Sequence, residues 1–504
     1  MIDRWRGKNW NLIIRRISKI CWILFLITLP VSSFPFFPGS IGGGTLVRPL
    51  SIYPLIILLL LVILPRFLSK PLPRTLLSFF PFVVVALISS LVASLQGIEG
   101  LQGVSASART FRALVTLGVG GAIYLLVTLW PEKDEDLRFS LRWFYIGFSL
   151  ALFWGTLQTI YVVYFSPRWF DLLNAIQRYI SIRKLFTNRV SGLTYEPNWF
   201  ADQISFLLLP WLLASVLSGY SVFKWRWRWV TVELLLLAWA LIILPFTFSR
   251  AGLLVMMFVV MVGILFFRSA TKKETGEGKS KRKFPWRRII EGTILVLVLA
   301  ALIFVAGSRN EFFARIWDYW ERAPDQGGYV RYLINYFEYL GFGARYAYTE
   351  TAYRIYEQHP VLGVGLGNYV FYFNDNLTNR PLATVPEVLR LVVPESAGER
   401  LITPKNLIIR IMAETGVVGL STFIAFIMAI LGSALYLWFS PHKEVKFWGI
   451  GGLLGLIAFG LAAFSFDSFA IPNMWVMFGL ITAAMRLVKL KEQPVNALIG
   501  HAKS

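Results

Sequence analysis

Cysteine and histidine are nearly missing from this chain of 504 residues: the one cysteine, Cys21, falls inside an apolar run, and His359, His442 and His501 lie far apart. That scarcity argues against a disulfide framework, a thiolate cluster or a histidine-held zinc centre. Negative charge is scarce too, with 28 Asp and Glu against 50 Lys and Arg and a formal net charge of +22. Such an excess would suit a polyanion if the cations lined one groove. They are collected instead between long apolar runs, which is the placement of a membrane protein and not of a nucleic-acid interface. A small-residue cleavage pattern is also lacking after the first apolar run, so the basic N-terminus is expected to lead into an uncleaved span.

What the chain has in abundance is apolar sequence, 56% of its residues, with a mean hydropathy of +0.60. About twelve runs approach the ~20 residues that a helix needs to cross a bilayer. They are Ile17–Phe37, Leu46–Leu64, Thr75–Leu95, Thr110–Trp130, Ser140–Phe165, Pro197–Leu217, Val230–Phe248, Ala251–Phe267, Ile289–Ala306, Leu407–Phe439, Phe447–Phe466 and Ala470–Val488. The run from Leu407 is too long for one straight crossing and is expected to begin outside the membrane. The expectation is an all-α polytopic membrane protein in three parts: nine spans over 1–306, a large helical loop over 307–406, and three spans with a tail over 407–504.

Basic residues set the expected orientation. Arg4, Arg6, Lys8, Arg15, Arg16 and Lys19 precede the first span, Arg66, Lys70 and Arg74 follow the second, Lys224, Arg226 and Arg228 follow the sixth, and Lys272–Arg288 separates the eighth from the ninth. All fall on one side, which the positive-inside rule makes cytoplasmic, termini included. The opposite face then receives Gln96–Arg109, Ser166–Glu196, the Ser249-Arg250 turn, Gly307–Asn406 and the Asp467-Ser468 turn. A connection as long as Gly307–Asn406 is functional or disordered. Its aromatic content argues for order, and its helices are expected at Tyr329–Leu340 and Arg345–Gln358, the latter stopped by His359-Pro360.

Arg250 interrupts two apolar runs, either as a snorkelling anchor or as a functional cation. Arg109, Arg112 and Arg189 are expected on the same face, although Arg109 and Arg112, three apart, also suit a plain helix end. A ligand with a lipid tail and an anionic head fits such a face, and a lipid-linked diphosphate is one: as it leaves, negative charge develops on it, and fixed cations in a low dielectric stabilise that charge. Transporters, by contrast, keep ionisable groups near the bilayer midplane. The in-span Glu233 and Asp202 lie close to their span ends, which disfavours that class, and a purely structural scaffold is the remaining alternative.

Four patterns occur in order: Arg189-Val190-Ser191-Gly192 through Glu196-Pro197-Asn198-Trp199-Phe200-Ala201; Ser249-Arg250-Ala251-Gly252; His359-Pro360-Val361-Leu362-Gly363-Val364-Gly365-Leu366-Gly367-Asn368; and Lys405-Asn406-Leu407 through Glu414-Thr415-Gly416. The glycines of the third follow a helix and a proline, not a strand, so they mark a turn and not a nucleotide fingerprint. Together the four resemble the bacterial O-antigen ligases and O-antigen polymerases, membrane glycosyltransferases of GT-C type, over roughly Arg189 to Leu420. The resemblance implies transfer of a glycan from undecaprenyl diphosphate to an acceptor hydroxyl on the periplasmic face of the inner membrane, without metal or other cofactor, with Arg189 and Arg250 holding the diphosphate.

The acceptor would be another glycan, a lipid A core or a protein. Where many members carry a histidine before the asparagine, this chain has Lys405. That departure leaves the base open among Lys405, Glu196, Glu395, Glu399, Glu414 and Asp467, and tilts the reading from ligase towards polymerase. Arg250, Arg189 and Lys405 are the catalytic candidates. Arg109, Arg112, Glu196, Asn198, Ser249, His359, Asn406 and Glu414 are the substrate-binding candidates, with helix capping the competing role for His359 and a local helix hydrogen bond that for Glu414.

Overall fold

The computed structural model describes residues 2–37, 46–69, 71–228, 230–267, 310–321, 328–380, 385–392 and 401–501, with 301, 304 and 307 as isolated positions. The basic linker, most of the expected ninth span after it, and Glu395 and Glu399 lie outside the described residues. The chain runs through α1 (Ile2–Thr28), α2 (Ile52–Ser69), α3 (Arg74–Leu95), α4 (Ala106–Leu129), α5 (Asp134–Val163), α6 (Pro167–Gln177) and α7 (Pro197–Ser218). A short antiparallel hairpin of β1 (Arg226–Trp227) and β2 (Val230–Thr231) precedes α8 (Val232–Thr247) and α9 (Arg250–Val262). The loop region holds α10 (Glu311–Asp318), α11 (Gly328–Tyr339), α12 (Phe342–Gln358), α13 (Tyr369–Asn376) and α14 (Pro386–Val392). The last helices are α15 (Leu407–Trp438), α16 (Lys443–Ala462) and α17 (Pro472–His501).

Eight helices among the described residues, α2–α5, α7 and α15–α17, are long and apolar enough to cross a membrane, and α8 and α9 are shorter apolar helices. The chain is therefore an all-helical membrane protein with a minor hairpin. The first expected span is cut short: α1 ends at Thr28, two residues before Pro30, and the strand-like segment beyond it exchanges backbone hydrogen bonds with Arg48. Proline cannot donate to a helix, which explains the stop. Both expected loop helices are present, at α11 and α12.

Side-chain contacts sort the connections into two ends. At one, Trp130 Nε1 donates to Ser18 Oγ at 3.2 Å, Arg66 pairs with Glu132 at 3.1 Å, and Arg138 donates to Ser221 O at 2.9 Å. Fully buried Glu233 accepts the Val222 amide at 2.6 Å and so fastens the hairpin there. The starts of α7, α9 and α15 meet the loop helices at the other end. Between the ends, close approach is set by small residues; Gly451 of α16 faces the Trp211 ring of α7, where a Cβ would lie 2.3 Å from the indole. In lipid, where helix association relies on packing, such contacts hold the bundle together.

Candidate active site

Arg189 is the keystone of one cluster. It sits before α7, is 9% exposed, and its Nε donates to Thr247 O at 2.8 Å while Nη2 donates to Asn198 Oδ1 at 2.8 Å. One guanidinium thus ties the end of α8 to the start of α7. The segment that carries it is held from α5: buried Gln158 accepts the amides of Ser191 and Gly192 at 2.9 and 3.0 Å and donates to Gly192 O at 3.0 Å. Pro197 opens α7 at its first turn, where a missing N–H costs nothing. Glu196 pairs with Arg183 at 2.6 Å. Burial lowers the Arg189 pKa to about 10, against the pull of Glu196 and with Arg250 adding to the effect of burial, so Arg189 stays a cation at neutral pH.

Arg250 begins α9. Phe248, before it, has φ 46° and ψ 33°, a left-handed conformation that costs a bulky residue about 1–3 kcal/mol and is retained where surrounding structure enforces it. The sharp turn lets Ser249 cap α9, its Oγ accepting the Gly252 amide at 3.3 Å. Arg250 Nη1 donates to Leu340 O at 2.7 Å, at the end of α11, and Tyr336, Tyr339 and Arg315 are its electrostatic neighbours. The two tyrosines belong to a ring cluster in which Tyr319 contacts Tyr332, Tyr336 and Tyr339 at centroid distances of 4.8–5.3 Å. Arg250 is therefore roofed by the loop, not splayed towards a bilayer surface.

The third and fourth motifs interlock. Gly416, at φ 65° and ψ −168°, breaks α15, and the glycine-rich turn docks in the break. Carbonyls of Ala413 and Glu414 accept the Val364 and Gly365 amides at 3.1 and 2.8 Å; the Val417 and Val418 amides donate to Pro360 and Val361 carbonyls at 2.8 and 3.3 Å. The break therefore leaves those backbone groups paired, as an apolar setting requires. Ser89 of α3 joins the junction, its Oγ lying 2.5 Å from Leu362 O and 2.9 Å from Glu414 O. The excess length of the run from Leu407 is thus taken up by a broken helix.

Within the first part of α15, Arg410 and Glu414 form a buried ion pair at 2.8 Å, exposed by 8% and 2%. Arg410 also donates to Asp467 O at 2.5 Å. Removing one member of a buried pair strands the other charge, at about 3–5 kcal/mol. Glu414→Ala should therefore lower thermal stability in detergent by that order, whereas Arg410→Met with Glu414→Leu should recover most of it. A single variant as stable as the wild type would contradict this.

Lys405 is half-exposed, also left-handed at φ 51°, and its Nζ donates to Glu387 Oε1 at 2.6 Å above the Tyr348 ring. Burial pushes Glu387 up, but Lys405 and the Tyr348 hydroxyl outweigh it and hold the carboxyl below its usual range. Asp467 accepts the Lys405 amide at 2.8 Å, and Asn406 caps α15, its Oδ1 accepting the Ile408 and Ile409 amides at 3.1 and 3.3 Å. Arg109 lies within electrostatic reach of Arg410, Glu414 and Asp467; Arg112 is exposed. His359 caps the C-terminus of α12, with its ring 5.4 Å from that of Tyr372.

The sequence-selected residues thus fall into two groups. Arg189, Glu196, Asn198, Ser249 and Arg250 meet at the starts of α7 and α9, and Arg109, Lys405, Asn406 and Glu414 gather around the start of α15. Arg345 of α12 stands between them: its Nη1 donates to Phe464 O at 3.2 Å and its charge acts on Asp202. Sequence reasoning passed over Arg410, although its four-residue spacing from Glu414 is visible, and gave Arg345 no role beyond a loop cation.

A family model described as O-antigen ligase matches residues 235–424. The segment includes Arg250, the glycine-rich turn and the start of α15, and leaves Arg189 outside. A search of curated proteins gave no match. With the ordered motifs interlocked as described, residues 235–424 are similar to the O-antigen ligase family, and the match supports the O-antigen ligase/polymerase resemblance over that part of the chain.

Proposed function

We propose that this protein is a glycosyltransferase that moves a glycan from undecaprenyl diphosphate to an acceptor hydroxyl on the periplasmic face of the bacterial inner membrane. The observation that carries the reading is the pairing of Arg189 and Arg250 at the mouth of the bundle under a helical roof. Two guanidiniums held in place by backbone carbonyls present fixed positive charge to a departing diphosphate without reorganising. The orientation rests on the basic segments between the apolar runs, which face the cytoplasm by the positive-inside rule. On this reading, 307–406 is the periplasmic part between nine spans and three.

Within the family we favour polymerase. Lys405 stands where a ligase-like histidine is expected and is engaged by Glu387, so acceptor activation differs from that of the lipid A ligases. Full-length protein reconstituted with undecaprenyl-diphosphate-linked repeat units, and no second acceptor, should give a ladder of glycan lengths on a gel. Product that forms only after a lipid A core or protein acceptor is added would make it a ligase. No product with any acceptor would overturn glycosyl transfer and favour transport of the lipid-linked sugar.

A further inference from the structure

At the end of the bundle away from the loop helices, cations are mostly matched within the protein. Arg66, Lys489 and Lys491 pair with Glu132, Glu492 and Asp134, while Arg138 and Arg486 donate to backbone carbonyls. The β1–β2 hairpin is the exception. Lys224, Arg226 and Arg228 are all exposed, and among the described residues none of them forms an ion pair. From Gly219 to Val232 the chain carries no acid at all.

Apolar surface is set among those charges. Trp225 and Trp227 are 52% and 65% exposed, so two indoles stand open beside three unmatched cations. They flank Arg226, and neighbours on an extended strand face opposite sides, which puts both rings on one side of the ribbon. Arg226 reaches along the turn, its Nε donating to Arg228 O at 2.9 Å, and the Arg228 guanidinium lies 6.0 Å from the centre of the Trp227 ring.

The ribbon is fixed at its root and placed at the membrane edge. Buried Glu233, near the start of α8, accepts the Ser221 hydroxyl at 2.9 Å and the Val222 amide at 2.6 Å, and Arg138 and Arg142 donate to Val222 O at 3.2 and 3.3 Å. Apolar α7 ends at Ser218 and apolar α8 begins at Val232, so the hairpin lies where both leave the hydrocarbon. At that depth indoles settle among the headgroups, and arginine forks match phosphate oxygens. An anionic lipid surface attracts each nearby Lys or Arg, which a zwitterionic one does not.

We propose that the hairpin is a binding site for anionic phospholipid of the adjacent leaflet, with Trp225 and Trp227 at headgroup level and Lys224, Arg226 and Arg228 on the phosphates. The site does not depend on the transferase reading. It does bear on α8, which runs from the hairpin to Thr247, the residue whose carbonyl Arg189 holds: a lipid that seats the hairpin also sets the depth of that helix.

The test uses full-length protein stripped of lipid in detergent, titrated with phosphatidylglycerol or phosphatidylcholine and read by native mass spectrometry. Wild type should bind phosphatidylglycerol more tightly. Lys224→Gln/Arg226→Gln/Arg228→Asn, with asparagine chosen because Arg228 has φ 54°, should lose about tenfold in phosphatidylglycerol affinity and little in phosphatidylcholine affinity. Trp225→Leu/Trp227→Leu should weaken both lipids. Each variant should unfold at the wild-type temperature, since all the altered side chains are exposed. In nanodiscs, phosphatidylglycerol carrying a photoreactive group should crosslink wild type within residues 224–231, a readout that needs no variant. Equal phosphatidylglycerol affinity of wild type and the triple variant, or crosslinks confined to other segments, would overturn the proposal. So would displacement of the lipid by an equal concentration of glycerol phosphate, the mark of a site for a soluble phosphate, or tighter binding of polyglutamate through the same cations, the mark of a docking site for an acidic protein.

Discussion

Arg250→Ala should abolish the glycan ladder, with a loss of at least 100-fold to 1,000-fold in turnover, the scale on which one preorganised charge-stabilising donor contributes. Arg189→Ala should lose as much or more, because that guanidinium also joins α7 to the end of α8 through Asn198 and Thr247. The two variants should differ in stability. Arg189 is buried and its removal orphans a carbonyl and an amide oxygen, whereas Arg250 gives up a bond to Leu340 O at the loop. Lysine at either position keeps the charge but not the planar fork, and should recover only a small part of the rate. Quantifying ladder formation at matched protein levels, beside thermal unfolding in detergent, separates the two effects. An Arg250→Ala variant with normal product would remove the central argument for diphosphate binding.

Gly416→Ala should have the largest effect on folding. At φ 65° and ψ −168° its backbone is open essentially to glycine alone, and a Cβ there would lie 2.2 Å from Val361 O. The neighbour is backbone, pinned by hydrogen bonds on either side, so it has little room to yield. Strain of about 1–3 kcal/mol for the conformation adds to the steric clash, which makes a total on the order of 4 kcal/mol or more reasonable for the site. Gly416→Ala should express poorly or unfold at much lower temperature. Gly432→Ala on the same helix, where a Cβ meets nothing within 4 Å, is the control expected to behave as wild type. Equal melting temperatures for the two would show that the break in α15 is not needed.

Much of the architecture was legible because apolar length and basic flanks report directly on membrane crossing. The starts of α7 and α15 fell where Pro197 and Asn406 mark them, and α12 ends before His359-Pro360 as expected. The break at Gly416 was not legible: a glycine within a long apolar helix carries no mark of its partner, which lies some fifty residues earlier in the chain. For the candidate site, arginines in turns between spans stood out because charge is conspicuous there. Arg410 did not, although its four-residue spacing from Glu414 is visible; only the folded arrangement shows that Glu196 and Glu414 are paired with Arg183 and Arg410.

The glycine-rich turn also sets an order of events during synthesis. Its four backbone bonds go to residues of α15, and the Ser89 hydroxyl that joins the junction was made long before. α3 must therefore wait in the membrane until the ribosome has delivered Val418 and the translocon has released α15. The loop can condense on its own ring cluster before then, but it cannot be fastened over Arg250 and the start of α7 in its final register. The junction, and with it the arrangement of the third and fourth motifs, is therefore completed late in synthesis, after most of the helices have been made.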